Sequence, residues 1–179
     1  MELHILDMLQ GMHTPLLDTV LVFITRLGDN GLIWILLAAA LLLFGKTRKY
    51  GVVLATALLI DLILCNLVLK NLVARIRPYD MNTEVTLLVN RLHDYSFPSG
   101  HTAASFTAVT ALWFAGQKRF SLMALILAVL IAFSRLYLYV HYPTDVLGGV
   151  VIGILCGYLG WKLVEIISHK CSKGSVASD

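Results

Sequence analysis

The sequence predicts an all-α, polytopic bundle of transmembrane helices, and two observations predict it. Hydrophobic residues make up 58% of the 179 residues and charged residues only 14%, with a mean hydropathy of +0.80. A soluble domain carries about 25% charged residues, and so little charge cannot cover a surface that faces water. The apolar residues are also gathered into runs. A bilayer core about 30 Å thick takes about 20 mostly apolar residues per helix, and the runs at 30–45, 50–70, 100–116, 120–140 and 145–166 meet or approach that length. We expect five spans, with a sixth membrane-embedded helix at the N-terminus.

The first 27 residues form the N-terminal segment. Leu3, Ile5, Leu6, Leu9 and Met12 make one apolar face, with Glu2, Asp7 and Gln10 opposite, which predicts an amphipathic interfacial helix. Pro15 then interrupts, and Leu16–Ile24 is too short to span alone, so a tilted or partial membrane helix is expected there. Neither a basic n-region nor a cleavage site is present, so no removable signal peptide is expected. Residues 28–170 hold the transmembrane domain. Its first run, 30–45, is short and is expected to extend over its flanks. The last run carries Gly149, Gly153 and Gly157, with Gly148 and Gly160 beside them, a small-residue stripe that lets helices pack closely. Packing inside the bundle is favoured over a dimer seam, so a monomer is expected. Residues 171–179 are read as a flexible tail.

Orientation follows from the short loops. Lys46, Arg48 and Lys49, then Lys118 and Arg119, then Lys162, Lys170 and Lys173 fall on one face if the five spans run from residue 30. The positive-inside rule assigns that face to the cytoplasm. The loop 71–99 and the turn at 141–144 are then extracytoplasmic, the C-terminus is cytoplasmic, and the host bilayer is the cell membrane. The formal net charge of +3 gives no sign of a nucleic-acid partner. Cys65, Cys156 and Cys171 have no paired spacing, and neither a disulfide framework nor a zinc site is implied.

Three polar clusters interrupt this apolar sequence, all at the same membrane face. The first runs from Lys70 to Pro78 and holds Arg75 and Arg77. If the helix runs on, Lys70 and Arg77 are two turns apart and share a face with Asn66; the alternative is a set of anchors that snorkel towards head groups. The second is Phe97-Pro98-Ser99-Gly100-His101 at the start of a span. Ser99 stands at the N-cap position, the helix N-terminus is a ready anion site, and Gly100 allows close approach to the backbone; the alternative is a simple cap beside a bystander histidine. The third runs from Ser134 to Asp145. Arg135 lies within an apolar run, where a lone charge costs about 2.5–3.5 kcal/mol, and so calls for an anionic partner. Asp145 follows His141 by four residues and can orient its imidazole; the alternative is a structural Arg135–Asp145 pair.

Taken together, the clusters point to one chemistry. Lys and Arg supply charge and donors for a tetrahedral oxyanion such as phosphate. A histidine backed by a carboxylate suits nucleophilic attack, and a second suits protonation of a leaving oxygen. No carboxylate cluster of the kind that holds Mg²⁺ or Ca²⁺ accompanies them, so no metal and no cofactor is expected.

These clusters resemble the signature of the type 2 phosphatidic acid phosphatase superfamily over about residues 50–160. Lys70, then six residues, then Arg77-Pro78 match its first motif; Pro98-Ser99-Gly100-His101 match the second; Ser134-Arg135, His141 and Asp145 match the third. The resemblance implies that His141 attacks phosphorus and forms a phosphohistidine, with Asp145 orienting it. It implies that His101 protonates the leaving oxygen, and that Lys70, Arg77, Ser99, Gly100 and Arg135 bind the phosphate. It implies a lipid phosphate as substrate within a membrane-lipid environment. Compact bacterial members act on undecaprenyl diphosphate, which is the expected substrate. Phosphatidylglycerophosphate or phosphatidic acid comes next, and lipid A third. A lipid-binding or scrambling bundle is the non-enzymatic alternative.

Overall fold

Nine α-helices and their connections account for the described residues of the computed structural model, which cover the backbone of residues 1–176 and the side chains of residues 1–170. The side chains of the expected tail, 171–179, Cys171 and Lys173 among them, lie outside that description. There is no strand among the described residues.

The amphipathic N-terminus folds as α1 (Glu2–Gln10), with Leu6 fully buried and Met8 exposed. Thr14 then caps α2 (Pro15–Leu27), its hydroxyl accepting from the Leu17 amide at 3.3 Å, and Pro15 takes the first helical position, where it costs no hydrogen bond. A 3-10 turn at Asp29–Gly31 follows, in which Asn30 (φ 52°) and Gly31 (φ 70°) are both left-handed. It bends the chain by 44° into α3 (Leu32–Leu43). The expected extension of the first run over its flanks is therefore a bent pair. The expected N-terminal membrane-embedded helix is α2, the first member of that pair.

The second apolar run is one long helical stretch. α4 (Arg48–Asp61) passes through a π-helical segment, Leu62–Leu69, into α5 (Lys70–Val73). Ala74 ends it in a left-handed conformation (φ 49°). After a four-residue α6 (Pro78–Met81) and an irregular stretch come α7 (Gly100–Phe114), α8 (Lys118–Tyr137) and α9 (Pro143–Val176). Three stretches are long and apolar enough to cross a bilayer, Arg48–Met81, Lys118–Tyr137 and Pro143–Lys170, or four if the bent α2–α3 pair counts as one. At 15 residues, α7 is about 22 Å long, short of the ~30 Å hydrocarbon core.

α7 is the central helix and packs on α9, α8 and α4. Its sequence fits that place: Thr102, Ala103, Ala104, Ser105, Thr107, Ala108, Thr110 and Ala111 are all buried, and residues this small let three neighbours approach at once. The glycine stripe of α9 lies against it. A Cβ on Gly153 would stand 2.5 Å from the Ala103 carbonyl, and one on Gly157 2.7 Å from that of Thr107. The stripe thus serves packing within the bundle. The outer faces are apolar and bare: Leu67, Ile126, Val129, Leu147 and Val151 are exposed. In water such a belt would drive aggregation, whereas lipid requires it. The protein is a membrane protein.

Candidate active site

One end of the bundle gathers the polar residues. α5 ends there, α7 and α9 begin there, α8 ends there, and α1 lies across it. A cavity of about 1210 Å³ opens among them, lined by Lys70, Arg77, Asp94, Gly100, His101, Arg135 and His141 together with Asp29, Asn66 and Thr25. Six of the eight residues expected from the sequence therefore share one cavity. Ser99 and Asp145 do not line it; both are fully buried behind its wall.

Lys70 and Arg77 reach the cavity by a route other than a continued helix. The left-handed Ala74 stops the helix, and Arg77 is extended (φ −74°, ψ 152°), as a residue before proline tends to be. The two cations meet on Asp94 instead. Lys70 Nζ is hydrogen-bonded to Asp94 Oδ2, and an Arg77 Nη2 donates to Asp94 Oδ1 at 2.6 Å. Arg77 also holds the Asp94 carbonyl at 2.8 Å and the Val140 carbonyl at 2.7 Å. Burial pushes the Asp94 carboxyl up, but the Lys70 hydrogen bond and charge, with Arg77, outweigh it and hold the pKa at about 2.

His141 sits in the turn between α8 and α9, 1% exposed, with Nε2 3.4 Å from Arg77 Nη1. Burial above all, then the charges of Arg77, Arg135 and Lys70, push its pKa well below the ordinary histidine value. That direction favours the neutral imidazole. Asp145 stands beside the imidazole, as expected, but accepts no hydrogen bond from it. Asp145 Oδ2 is 3.6 Å from His141 Nδ1, and that nitrogen has no hydrogen-bond partner. The carboxylate is held by other groups: Arg75 Nη1 at 2.6 Å, Ser96 Oγ at 2.5 Å and the Tyr142 amide at 2.9 Å. Arg75 in turn donates to Glu2 at 2.6 Å and lies over the Tyr142 ring at 3.9 Å, so α1 is tied to the network behind the histidine.

The alternative reading of Arg135, a structural partner of Asp145, is the one that fails. No described carboxylate pairs with it, and the arginine bound to Asp145 is Arg75, so the Arg135–Asp145 pair does not exist. Arg135 is 2% exposed; an Nη donates to the Thr25 hydroxyl, and its Nε has no partner. A buried cation with a free donor on a cavity wall is a site for an anion. His101 Nε2 lies 2.9 Å from Asp29 Oδ1, and a Cβ on Gly28 would stand 2.9 Å from the His101 ring. The glycine at the α2–α3 bend makes room for that histidine. Ser99 does not cap α7 with its side chain: its hydroxyl accepts from Thr102 at 3.0 Å, and its amide donates to the Asp145 carbonyl at 3.1 Å. Gly100 faces Asn66 and Lys70, where a Cβ would stand 2.8 Å from Asn66 Oδ1.

Sequence reasoning passed over Asp94, Asp29 and Thr25 as partners of Lys70, His101 and Arg135. The one signal available was that a buried cation or histidine needs a polar partner; nothing local said which.

Known proteins resemble this chain over most of its length. The model of the PAP2 superfamily matches residues 48–167. An undecaprenyl-diphosphatase of Sulfolobus acidocaldarius is 34% identical over 147 residues, 82% of this chain and 70% of that protein. The crystal structure of a transmembrane PAP2-type phosphatidylglycerolphosphate phosphatase from Bacillus subtilis superposes with a TM-score of 0.74 at 30% identity, over 93% of this chain and 85% of the other. That of Aquifex aeolicus LpxE gives a TM-score of 0.78 at 32% identity, over 90% and 94%.

Proposed function

The chain belongs to the PAP2 superfamily of membrane lipid phosphatases, and on that premise we propose that it hydrolyses undecaprenyl diphosphate to undecaprenyl phosphate and inorganic phosphate. The observation that carries the reading is the cavity that brings Lys70, Arg77 and Arg135 together with His101 and His141 at one end of the helices. Three buried cations on an otherwise apolar bundle suit a multiply charged oxyanion, and two histidines suit the chemistry of its transfer. Sulfolobus acidocaldarius supplies a relative named for the diphosphate reaction. Likeness to the Bacillus subtilis structure favours a second reading, a phosphatidylglycerophosphate phosphatase.

In the mechanism, the terminal phosphate lies among Lys70, Arg77 and Arg135, with Gly100 allowing it close to the start of α7. Neutral His141 attacks phosphorus through Nε2, and the bond from phosphorus to the leaving oxygen breaks. His101, held by Asp29, delivers its proton to that oxygen. Water then attacks the phosphohistidine, giving its proton to His101, and inorganic phosphate leaves. Asp145, fixed by Arg75, Ser96 and the Tyr142 amide, sits near Nδ1 and stabilises the positive charge that the attack places on the ring. Ser99 acts from behind the wall by joining α7 to Asp145 through its amide. No step calls for a metal ion. The basic loops at 46–49 and 118–119 lie at the end opposite the cavity, and we assign them to the cytoplasm, with the cavity and its substrate at the outer face of the cell membrane.

Phosphate release by the purified protein in detergent tests this, with undecaprenyl diphosphate, phosphatidylglycerophosphate, phosphatidic acid and lipid A offered separately. Release should be fastest from undecaprenyl diphosphate, should persist in EDTA and should be inhibited by vanadate. Release from none of the four would overturn the enzymatic reading. A clear preference for phosphatidylglycerophosphate would replace the first substrate by the second, and loss in EDTA restored by Mg²⁺ would overturn the metal-free mechanism.

A further inference from the structure

The two cations that the mechanism gives to the substrate are already bound to an anion from the chain itself. Asp94 spans them, one carboxylate oxygen on Lys70 and the other on Arg77. This is the arrangement two oxygens of a phosphate would adopt there. The three side chains are not equally fixed. Those of Lys70 and Arg77 are 8% and 2% exposed, whereas that of Asp94 is 51% exposed and has a direct route to water. Its backbone is fixed separately, because Arg77 Nε holds the Asp94 carbonyl at 2.8 Å and the neighbouring Ser96 amide donates to the Arg75 carbonyl at 2.8 Å. The carboxylate can therefore swing out by side-chain rotation while the loop stays in place.

We propose that Asp94 is a specificity-determining residue: its carboxylate occupies the Lys70–Arg77 anion site and yields only to a terminal phosphate. This rests on the reading of Lys70 and Arg77 as phosphate ligands. The reason is a matter of charge. A terminal phosphate carries about −1.5 to −2 at neutral pH, more than the carboxylate it displaces, and Arg135 adds a third cation that Asp94 does not reach. A phosphodiester carries a single charge and gains little by the exchange. The bilayer around the protein is a concentrated reservoir of phosphodiester head groups, so the cavity needs a means of refusing them, and Asp94 supplies it.

Binding to the full chain in detergent tests the proposal, with inorganic phosphate as the doubly charged probe and dimethyl phosphate as the singly charged diester. The wild type should prefer phosphate strongly. Asp94→Asn, which keeps the shape and removes the charge, should bind both probes at least about tenfold more tightly than the wild type, because close charge pairs couple strongly and displacing the carboxylate costs each probe alike; the weak diester, held below its binding threshold in the wild type, should then occupy the site. Asp94→Ser should do the same, and serves if the Asn variant does not fold. An affinity for dimethyl phosphate unchanged in both variants, or a weakening of both probes, would overturn the proposal and make Asp94 a brace for the cations. Phosphate affinity insensitive to Lys70→Met would instead remove the phosphate site itself, and the proposal with it.

Discussion

Arg75 holds the carboxylate that stands 3.6 Å from His141 Nδ1, yet Arg75 itself does not line the cavity. A hydrogen bond to a charged group is worth about 1.5–3 kcal/mol, so Arg75→Gln should lower kcat by about ten- to a hundredfold while leaving KM for a lipid substrate near its original value; an effect confined to KM would place Arg75 on the substrate instead. The two histidines separate by leaving group. His141→Ala should lose most activity on every substrate. His101→Ala should lose about 10²–10⁴-fold on a lipid monophosphate, the usual contribution of a positioned proton donor, and much less on p-nitrophenyl phosphate, whose leaving group departs without a proton. Equal losses for His101→Ala on both would contradict its role. His141 also fixes a pH dependence. Its folded pKa lies well below the ordinary value, so below about 6.5 the unfolded chain binds the proton that the folded one refuses. Stability should fall as pH falls through about 6.5, and His141→Asn should flatten that part of the Tm profile. At this scale the motif residues were legible because buried charge in an apolar sequence has few explanations. Asp94, Asp29 and Thr25 were not, since they reach Lys70, His101 and Arg135 across 24, 72 and 110 residues from irregular loops or another helix.

Among the elements, the α7–α9 contact is the one most open to test. A Cβ on Gly153 would meet the Ala103 carbonyl at 2.5 Å, and backbone cannot step aside as a side chain can. Gly153→Val should therefore destabilise by at least about 1–3 kcal/mol, the cost typical of overpacking, seen as a lower Tm in detergent; Gly116→Ala, which meets nothing but has φ +88°, should cost less, about 1 kcal/mol. An unchanged Tm for Gly153→Val would mean that α7 and α9 do not pack this closely. Runs such as α8 and α9 were legible from length and hydropathy alone. The broken elements were less so. α3 is only 12 residues long because Asn30 and Gly31 turn the chain, and α5 stops three residues after Lys70 because Ala74 is left-handed. Both breaks are backbone conformations that apolar periodicity does not report.

For the whole molecule, the orientation rests on the basic loops at the end away from the cavity. In a Cys171→Ser background, Thr83→Cys should react with an impermeant thiol reagent in intact cells, and Lys46→Cys should not; the native Cys65 and Cys156 are buried and silent. The reverse pattern would move the cavity and its substrate to the cytoplasmic leaflet. The central claim is that phosphorus passes through His141, and it is tested most directly by rapid quench with a lipid labelled with ³²P in its terminal phosphate. The wild type should show label on the protein that survives alkali and is released by acid, as a phosphohistidine is, while His141→Ala should show none. Phosphate release without any labelled protein, or a labelled His141→Ala variant, would contradict the account.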